Sequence, residues 1–206
     1  MNIYDNNREF ERLLAEYTGA PDVVVLDNNC NGIFLCLRYF KHFGPYSDYV
    51  TIRNHTYPGV PYAAKAAGYR VFFMPSLPQL TGEYLLWPFP LWDSALRFTS
   101  GMYMEGQFQV LSFTGPFKTM RLGKAGAILC PTKESATWLR RAAFSGRNMV
   151  SYHDDVFDMP EGYNMYLPAT IATLGVQLMQ GVAQHNHDLT MTYPDLSNPK
   201  HTGFNT

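Results

Sequence analysis

Asp22–Phe43 reads "DVVVLDNNCNGIFLCLRYFKHF", and the fold turns on it. Asp22–Leu26 is a short β-branched run of the kind that forms a strand. Asp27 to Gly32 is a polar turn, and Ile33 to Phe43 is a helical stretch. The segment is therefore a strand, a turn and a helix in immediate succession.

The same pattern recurs on both sides. Upstream, "NNREFERLLAEYTG" places Phe10, Leu13, Leu14 and Tyr17 on one helical stripe, with Gly19 as its stop. Downstream come "YVTIRN" with "TYPGVPYAAKAAG", then "YRVFFMP", then "FPLW" leading into "DSALRF" as a helix. "FQVLSF" and "AGAILC" with "TKESATWLRRAAFSG" follow. "YLPATIATLGVQLMQGVAQ" closes the series as a helix whose proline suits a first turn. Strands alternating with helices predict an α/β fold: a three-layer α-β-α sandwich around a mostly parallel mixed sheet. Residues 1–184 make up this unit. Residues 185–206, polar and rich in Pro, Asn and Thr, are expected to be an exposed C-terminal tail without periodicity, and His185 and His187 to be solvated there rather than metal ligands.

Bulk composition narrows the function classes. The 206 residues suit one domain with a substantial core, and 46% apolar against 16% charged residues argues against disorder. A formal net charge of -1 gives no global field toward nucleic acid or an anionic membrane, so any anion site must be local. No stretch is apolar for long enough to span a bilayer, and the N-terminus lacks a signal-peptide core, which predicts a soluble, cytoplasmic protein. Cys30, Cys36 and Cys130 lack disulfide or zinc spacing and are expected to be reduced.

Ligands of open α/β sheets gather at the carboxyl ends of strands. After the first strand, Asp27 to Gly32 opens a helix whose N–H groups could hold a phosphate, or forms a plain Asx turn and N-cap. His55, Thr56 and Tyr57 follow the second strand, where Tyr57 could equally be core. Asp93 follows "PFPLW" as an acid or as the N-cap of "SALRF". Ser112 ends "FQVLS", and Lys118 lies beyond it as a loop charge, a phosphate contact or a covalent amine. Asn164, in "GYNMYLP", taken singly is a turn residue.

Together and in this order, "FERLLAEYTGA", "VTIRNHTYPGVPYAAKAAGYRVFF", "DSALRF", "SFTGPFKTMRLGKAGAIL" and "GYNMYLPATIATLGVQL" resemble the large domain of the DegT-type nucleotide-sugar aminotransferases. These are fold-type-I, aspartate-aminotransferase-like enzymes that use pyridoxal 5'-phosphate. The resemblance runs from about Arg8 to Gly181 and implies a form lacking the C-terminal small domain. It implies that Asn28, Asn29 and Cys30 seat the cofactor phosphate, Tyr57 stacks on its ring, Asp93 keeps the ring nitrogen protonated, and Ser112 contacts the phosphate. Lys118 would bond covalently to the cofactor aldehyde and shuttle a proton. Asn164 would reach the phosphate of a neighbouring subunit, which implies a homodimer with shared active sites. The implied reaction moves an amino group, typically from glutamate, to a keto-sugar nucleotide. A lysine at position 118, where dehydratase relatives carry histidine, favours amino transfer.

Some residues depart from the family pattern. Ser112 to Lys118 is one residue longer than usual. Asn29 stands where glycine is usual and would have to accept its backbone conformation. Leu96 replaces a glutamine and Tyr166 an arginine. The stretch between "FFMPS" and "PLWDSA" is short, predicting a strand-helix pair reduced to a loop containing Gly82. These departures motivate a rival reading, a non-catalytic dimeric module that keeps the cofactor fold. A P-loop nucleotide enzyme is disfavoured because "GPFKTMRLGK" lacks the Walker spacing.

Overall fold

Val23 and Val25 face one helical layer and Val24 and Leu26 the other, which is what a strand buried on both faces requires. A computed structural model describes residues 4–44 and 47–204. Helix α1 (Asp5–Thr18) ends at Gly19, whose φ of 82° closes the helix in the left-handed region. Then come β1 (Asp22–Leu26), α2 (Asn29–Phe43), β2 (Tyr49–Arg53), α3 (Gly59–Ala66) and β3 (Arg70–Met74). After them lie β4 (Gln79–Leu85), β5 (Leu91–Leu96), β6 (Phe108–Ser112), β7 (Gly126–Cys130), α4 (Lys133–Ala143), α5 (Ala169–Met179) and β8 (Thr190–Thr192).

Six strands form one sheet in the order β1-β7-β6-β5-β4-β8, while β2 and β3 pair separately. One core holds α2, α3 and α4 against Val24, Leu26, Val110 and Ile128. The second holds α1 and α5 against Val23, Val25, Leu111, Ala127 and Leu129. Alternation along β1, β6 and β7 thus separates the faces of a three-layer α-β-α sandwich. Each fully buried Leu or Phe contributes about 1.5–3 kcal/mol to these layers.

The sandwich and the mixed sheet stand as expected, but the strand directions do not. Within the six-stranded sheet only β5–β6 is parallel; β1–β7, β6–β7, β4–β5 and β4–β8 are antiparallel. A parallel neighbour requires a long crossover, and residues 86–90 between β4 and β5 are too few to supply one. The expected loop containing Gly82 is instead β4, which pairs with β5 across a bulge at Gly82. "DSALRF" is not a helix: β5 continues to Leu96, because β4 and β6 use its backbone on both sides.

The C-terminal segment also departs from the expectation of an exposed tail. β8 pairs with β4 at Gln79–Thr192, Leu80–Met191 and Thr81–Thr190, and Leu196 and Phe204 are buried. "DLTMTY" does carry periodicity, with Leu189, Met191 and Tyr193 alternating with threonines. Among the described residues no helix is long and apolar enough to cross a membrane, and no cluster of metal-ligating side chains occurs.

Candidate functional site

A cavity of about 1230 Å³ opens between the α2 N-terminus, the ends of β5 and β6, the loop bearing Lys118, and β8. Asn28, Asn29, Cys30, Tyr57, Asp93, Ser112 and Lys118 all line it. The chain brings together residues spread over 90 positions because β1, β5 and β6 deliver them to one region of the sheet. Asn164 does not line it: that side chain is exposed, and its backbone bridges to Phe144.

At the α2 end, the Asn28 side chain accepts the Asn31 N–H at 2.9 Å and caps the helix. The N-cap role and the cradle role are therefore compatible. Residues 29 and 30 keep first-turn N–H groups that no carbonyl four residues back can satisfy. Gly126 lets β7 press against this turn, since a Cβ there would lie 2.8 Å from the Asn28 carbonyl carbon and 2.9 Å from the Asn29 nitrogen. Gly32 does the same for the helix body, where a Cβ would meet Val110 at 2.5 Å. Asp27, an acid beside a would-be anion cradle, is tied down by Asn28 Nδ2 (2.9 Å), Asn31 Nδ2 (2.7 Å) and Lys124 Nζ (3.2 Å). Lys124, also on the cavity wall, offsets that charge.

Asn29 carries a correction. It takes no left-handed backbone: Ser145 is the non-glycine residue with positive φ among the described residues. Its buried amide instead turns inward, donating to Asp93 Oδ1 at 3.1 Å and to the Val110 carbonyl at 2.8 Å. Glycine could not do this. The substitution joins the cradle end of the cavity to its acid.

Asp93 sits inside β5, 3% exposed, so it caps no helix. The Ala95 N–H donates to its Oδ1 at 3.1 Å. Burial raises the carboxyl pKa to about 6, against the Ala95 and Asn29 hydrogen bonds and the Lys118 charge, which favour the anion. The Lys118 ammonium donates to the Ala95 carbonyl. Burial lowers the Lys118 pKa, and the Asp93 charge opposes the fall. One residue, Ala95, thus holds the acid with its N–H and the amine with its carbonyl, setting both beside one cavity.

The remaining predicted residues form the rim. Tyr57 is 55% exposed and so not core. Ser112 Oγ accepts weakly from the Thr114 N–H at 3.4 Å, and Gly115, with φ of 106°, turns the chain toward Lys118. Cys30 is half-buried, and burial pushes its thiol up to about 12, which makes it an unreactive wall. Leu96 places an apolar side chain at the cavity. The Tyr166 ring packs on Tyr4 and Phe144 with centroids 6.2 and 4.9 Å apart.

Sequence reasoning missed the inward turn of Asn29, the Ala95 peptide, Lys124, and the whole wall of Leu189, Thr190, Met191 and Tyr193. The strand-like alternation of "DLTMTY" was the signal available for the last of these.

This is a three-layer α/β fold with an acid and an amine converging on one strand-end cavity. A family model described as the DegT/DnrJ/EryC1/StrS aminotransferase family matches residues 1–80, from α1 into the start of β4. No curated protein matches the chain in sequence. AtS13 from Actinomadura melliaura has a similar fold, with a TM-score of 0.73 at 20% identity over 86% of this chain and 60% of its own. The sugar aminotransferase CalS13 from Micromonospora echinospora gives 0.70 at 17% identity, over 86% of this chain and 61% of its own. PseC from Helicobacter pylori, an aminotransferase involved in the biosynthesis of pseudoaminic acid, gives 0.66 at 12%, over 86% and 58%. The chain shares its fold with these proteins and spans about three fifths of their length.

Proposed function

We propose that the protein is a pyridoxal 5'-phosphate-dependent aminotransferase working in the cytoplasm. It passes an amino group, typically from glutamate, to a keto-sugar nucleotide. Residues 1–184 form the bulk of its transferase-like unit, and β8 adds the edge strand beside β4. The observation that carries this reading is the junction at Ala95, where one residue's peptide groups hold Asp93 and Lys118 at a shared cavity.

The residues fit the cofactor at three points. The first-turn N–H groups of residues 29 and 30, with Ser112, suit a phosphate. Tyr57 offers an exposed ring for stacking. Asp93, buried and with a raised pKa, suits a partner that shares a proton. When bound, the cofactor supplies an aldehyde for the lysine and a protonated ring that draws off electron density as the substrate loses its α-proton.

Lys118 Nζ is the nucleophile and then the proton carrier. Its lowered pKa increases the share of neutral amine, the form that attacks and accepts a proton. Asp93 would hold a proton at the ring nitrogen of the bound cofactor, and Asn29 and Ala95 hold Asp93 in place. The Ala95 carbonyl orients the amine. Asn164, exposed and away from its own cavity, supports a homodimer in which it completes the partner's site.

The test is to mix the protein with pyridoxal phosphate, reduce with borohydride and map the adduct. Labelling at Lys118 supports the reading; labelling elsewhere, or none, overturns it. The apolar Leu96 at the cavity and the packed Tyr166 ring favour one alternative, a non-catalytic dimeric binding or scaffold protein. A protein that binds the cofactor but never converts to the pyridoxamine form, whatever amino donor is supplied, is that alternative.

A further inference from the structure

The sheet-edge side of the cavity is built by a segment from the far end of the chain. Leu189, Met191 and Tyr193 line it beside Leu80 and Gly82 of β4. The backbone fastens this segment repeatedly. Leu189 N–H donates to Leu96 O at 2.8 Å, Gly82 N–H to Leu189 O at 3.1 Å, and Tyr193 N–H to Pro78 O at 3.1 Å. Leu196 N–H donates to Asn54 O at 2.9 Å.

Side chains latch both ends. At one end Arg97 grips Asp188 with Nη2 at 2.6 Å and Nε at 3.0 Å. The same guanidinium reaches the buried Glu83, which also accepts from Ser94 at 2.6 Å and Gln109 at 3.0 Å. Gly82 makes room, because a Cβ there would fall 2.3 Å from Asp188 Oδ2. At the other end Asn54 Nδ2 donates to Asp195 Oδ1 at 3.0 Å, and His55 Nδ1 meets the Tyr193 carbonyl oxygen at 2.8 Å.

We propose that Asp188–Leu196 is a latched wall of the cavity and that Tyr193 is a cofactor-contacting residue carried on it. The proposal rests on the aminotransferase reading for the ligand's chemistry, a phosphorylated pyridine aldehyde. The Tyr193 phenol is half-buried and shares the cavity lining with Asp93, Tyr57 and Cys30; burial first, then the Asp93 charge, push its pKa up to about 12. Like any tyrosine it is a neutral O–H at physiological pH, and its place on the cavity lining with Asp93 lets it donate to a ligand oxygen. The Arg97–Asp188 latch couples ligand binding to the order of the wall.

Hydrogen exchange and cofactor affinity test this without turnover. In the wild-type protein, pyridoxal phosphate is expected to slow amide exchange across residues 189–193. Tyr193→Ala is expected to weaken pyridoxal phosphate binding about tenfold, and Tyr193→Phe about threefold. Asp188→Ala is expected to speed exchange across 188–196 in the cofactor-free protein and to weaken binding about tenfold. Should Tyr193→Ala fail to fold, Tyr193→Phe decides, since the ring's packing is kept and only the hydroxyl removed.

Exchange unchanged by the cofactor, with both Tyr193 variants binding within about twofold of wild type, overturns the proposal. If borohydride still traps Lys118 in that case, the aminotransferase reading survives alone. If exchange slows and the Tyr193 variants weaken binding while no adduct forms on Lys118, the wall stands and the lysine's role falls. If neither is seen, both fall.

Discussion

The cavity has two walls of different origin. The inner wall comes from strand ends and a helix start: Asn28–Cys30 before and within α2, Asp93 in β5, Ser112 at the end of β6, and Lys118 just beyond. The edge wall comes from β8 and Tyr193, more than a hundred residues after β4, to which it is hydrogen-bonded. The inner wall is held by the buried sheet and its two cores. The edge wall is held by one short ladder, by backbone bonds to Leu96, Pro78 and Asn54, and by side-chain latches at Asp188 and Asp195. Chemistry that demands fixed distances belongs on the first, and adjustable enclosure on the second.

The largest expected effect lies on the inner wall. Lys118→Ala is expected to abolish borohydride trapping and to slow amino transfer by about a thousandfold or more, while pyridoxal phosphate still binds without a covalent bond. A variant that keeps activity within tenfold would move the nucleophile elsewhere.

Asp93→Asn comes next, with opposite signs for activity and stability. Activity is expected to fall about a hundredfold or more, because an amide cannot hold the ring proton. The cofactor-free protein should become more stable at pH 7.5, by about 2 kcal/mol. The folded pKa of about 6 lies above the ordinary 3.8, so between those values the native state keeps a proton that the unfolded chain releases. Wild-type stability therefore falls as pH rises from about 4 to about 6 and stays lower above. Urea unfolding at pH 4 and 7.5 checks this: the advantage of the variant should be larger at pH 7.5, and an equal gap at both would refute the burial of a charged Asp93.

The two walls also differ in how far the sequence disclosed them. The inner wall was legible because each residue follows a locally patterned element: the valine run before Asn28, the apolar run before Asp93, and "FQVLS" before Lys118. What failed there was direction. A short link after Leu85 forces an antiparallel hairpin, and Asn29 found a partner 64 residues away that no local pattern could announce. The edge wall was hidden because its threonines, acids and Pro194 outweigh an alternation of three apolar residues, and because strand pairing at Gln79–Thr81 is a non-local event. Thr190, Met191 and Thr192 are exposed, in keeping with that polar composition, but composition concealed the segment's attachment.

Gly82→Ala strikes the seam between the walls. Its φ of 67° disfavours any side chain, and a methyl group would displace the Asp188 carboxylate from Arg97. The expected cost is about 1–3 kcal/mol in urea unfolding, with faster exchange across residues 188–193. If exchange there stays slow, the latch is not what holds the edge wall.

The smallest effect should fall one step further along the same segment. His185 and His187 are exposed, their rings contact each other edge-on at 5.4 Å, and no group of metal-ligating side chains surrounds them among the described residues. The double change His185→Ala with His187→Ala is expected to leave stability within about 0.5 kcal/mol and pyridoxal phosphate affinity unaltered. Asp188 is the very next residue, yet its loss should weaken binding, because it faces a guanidinium rather than solvent. A binding loss from the histidine pair as large as that from Asp188→Ala would mean that the whole segment, and not its latch, sets the position of the wall.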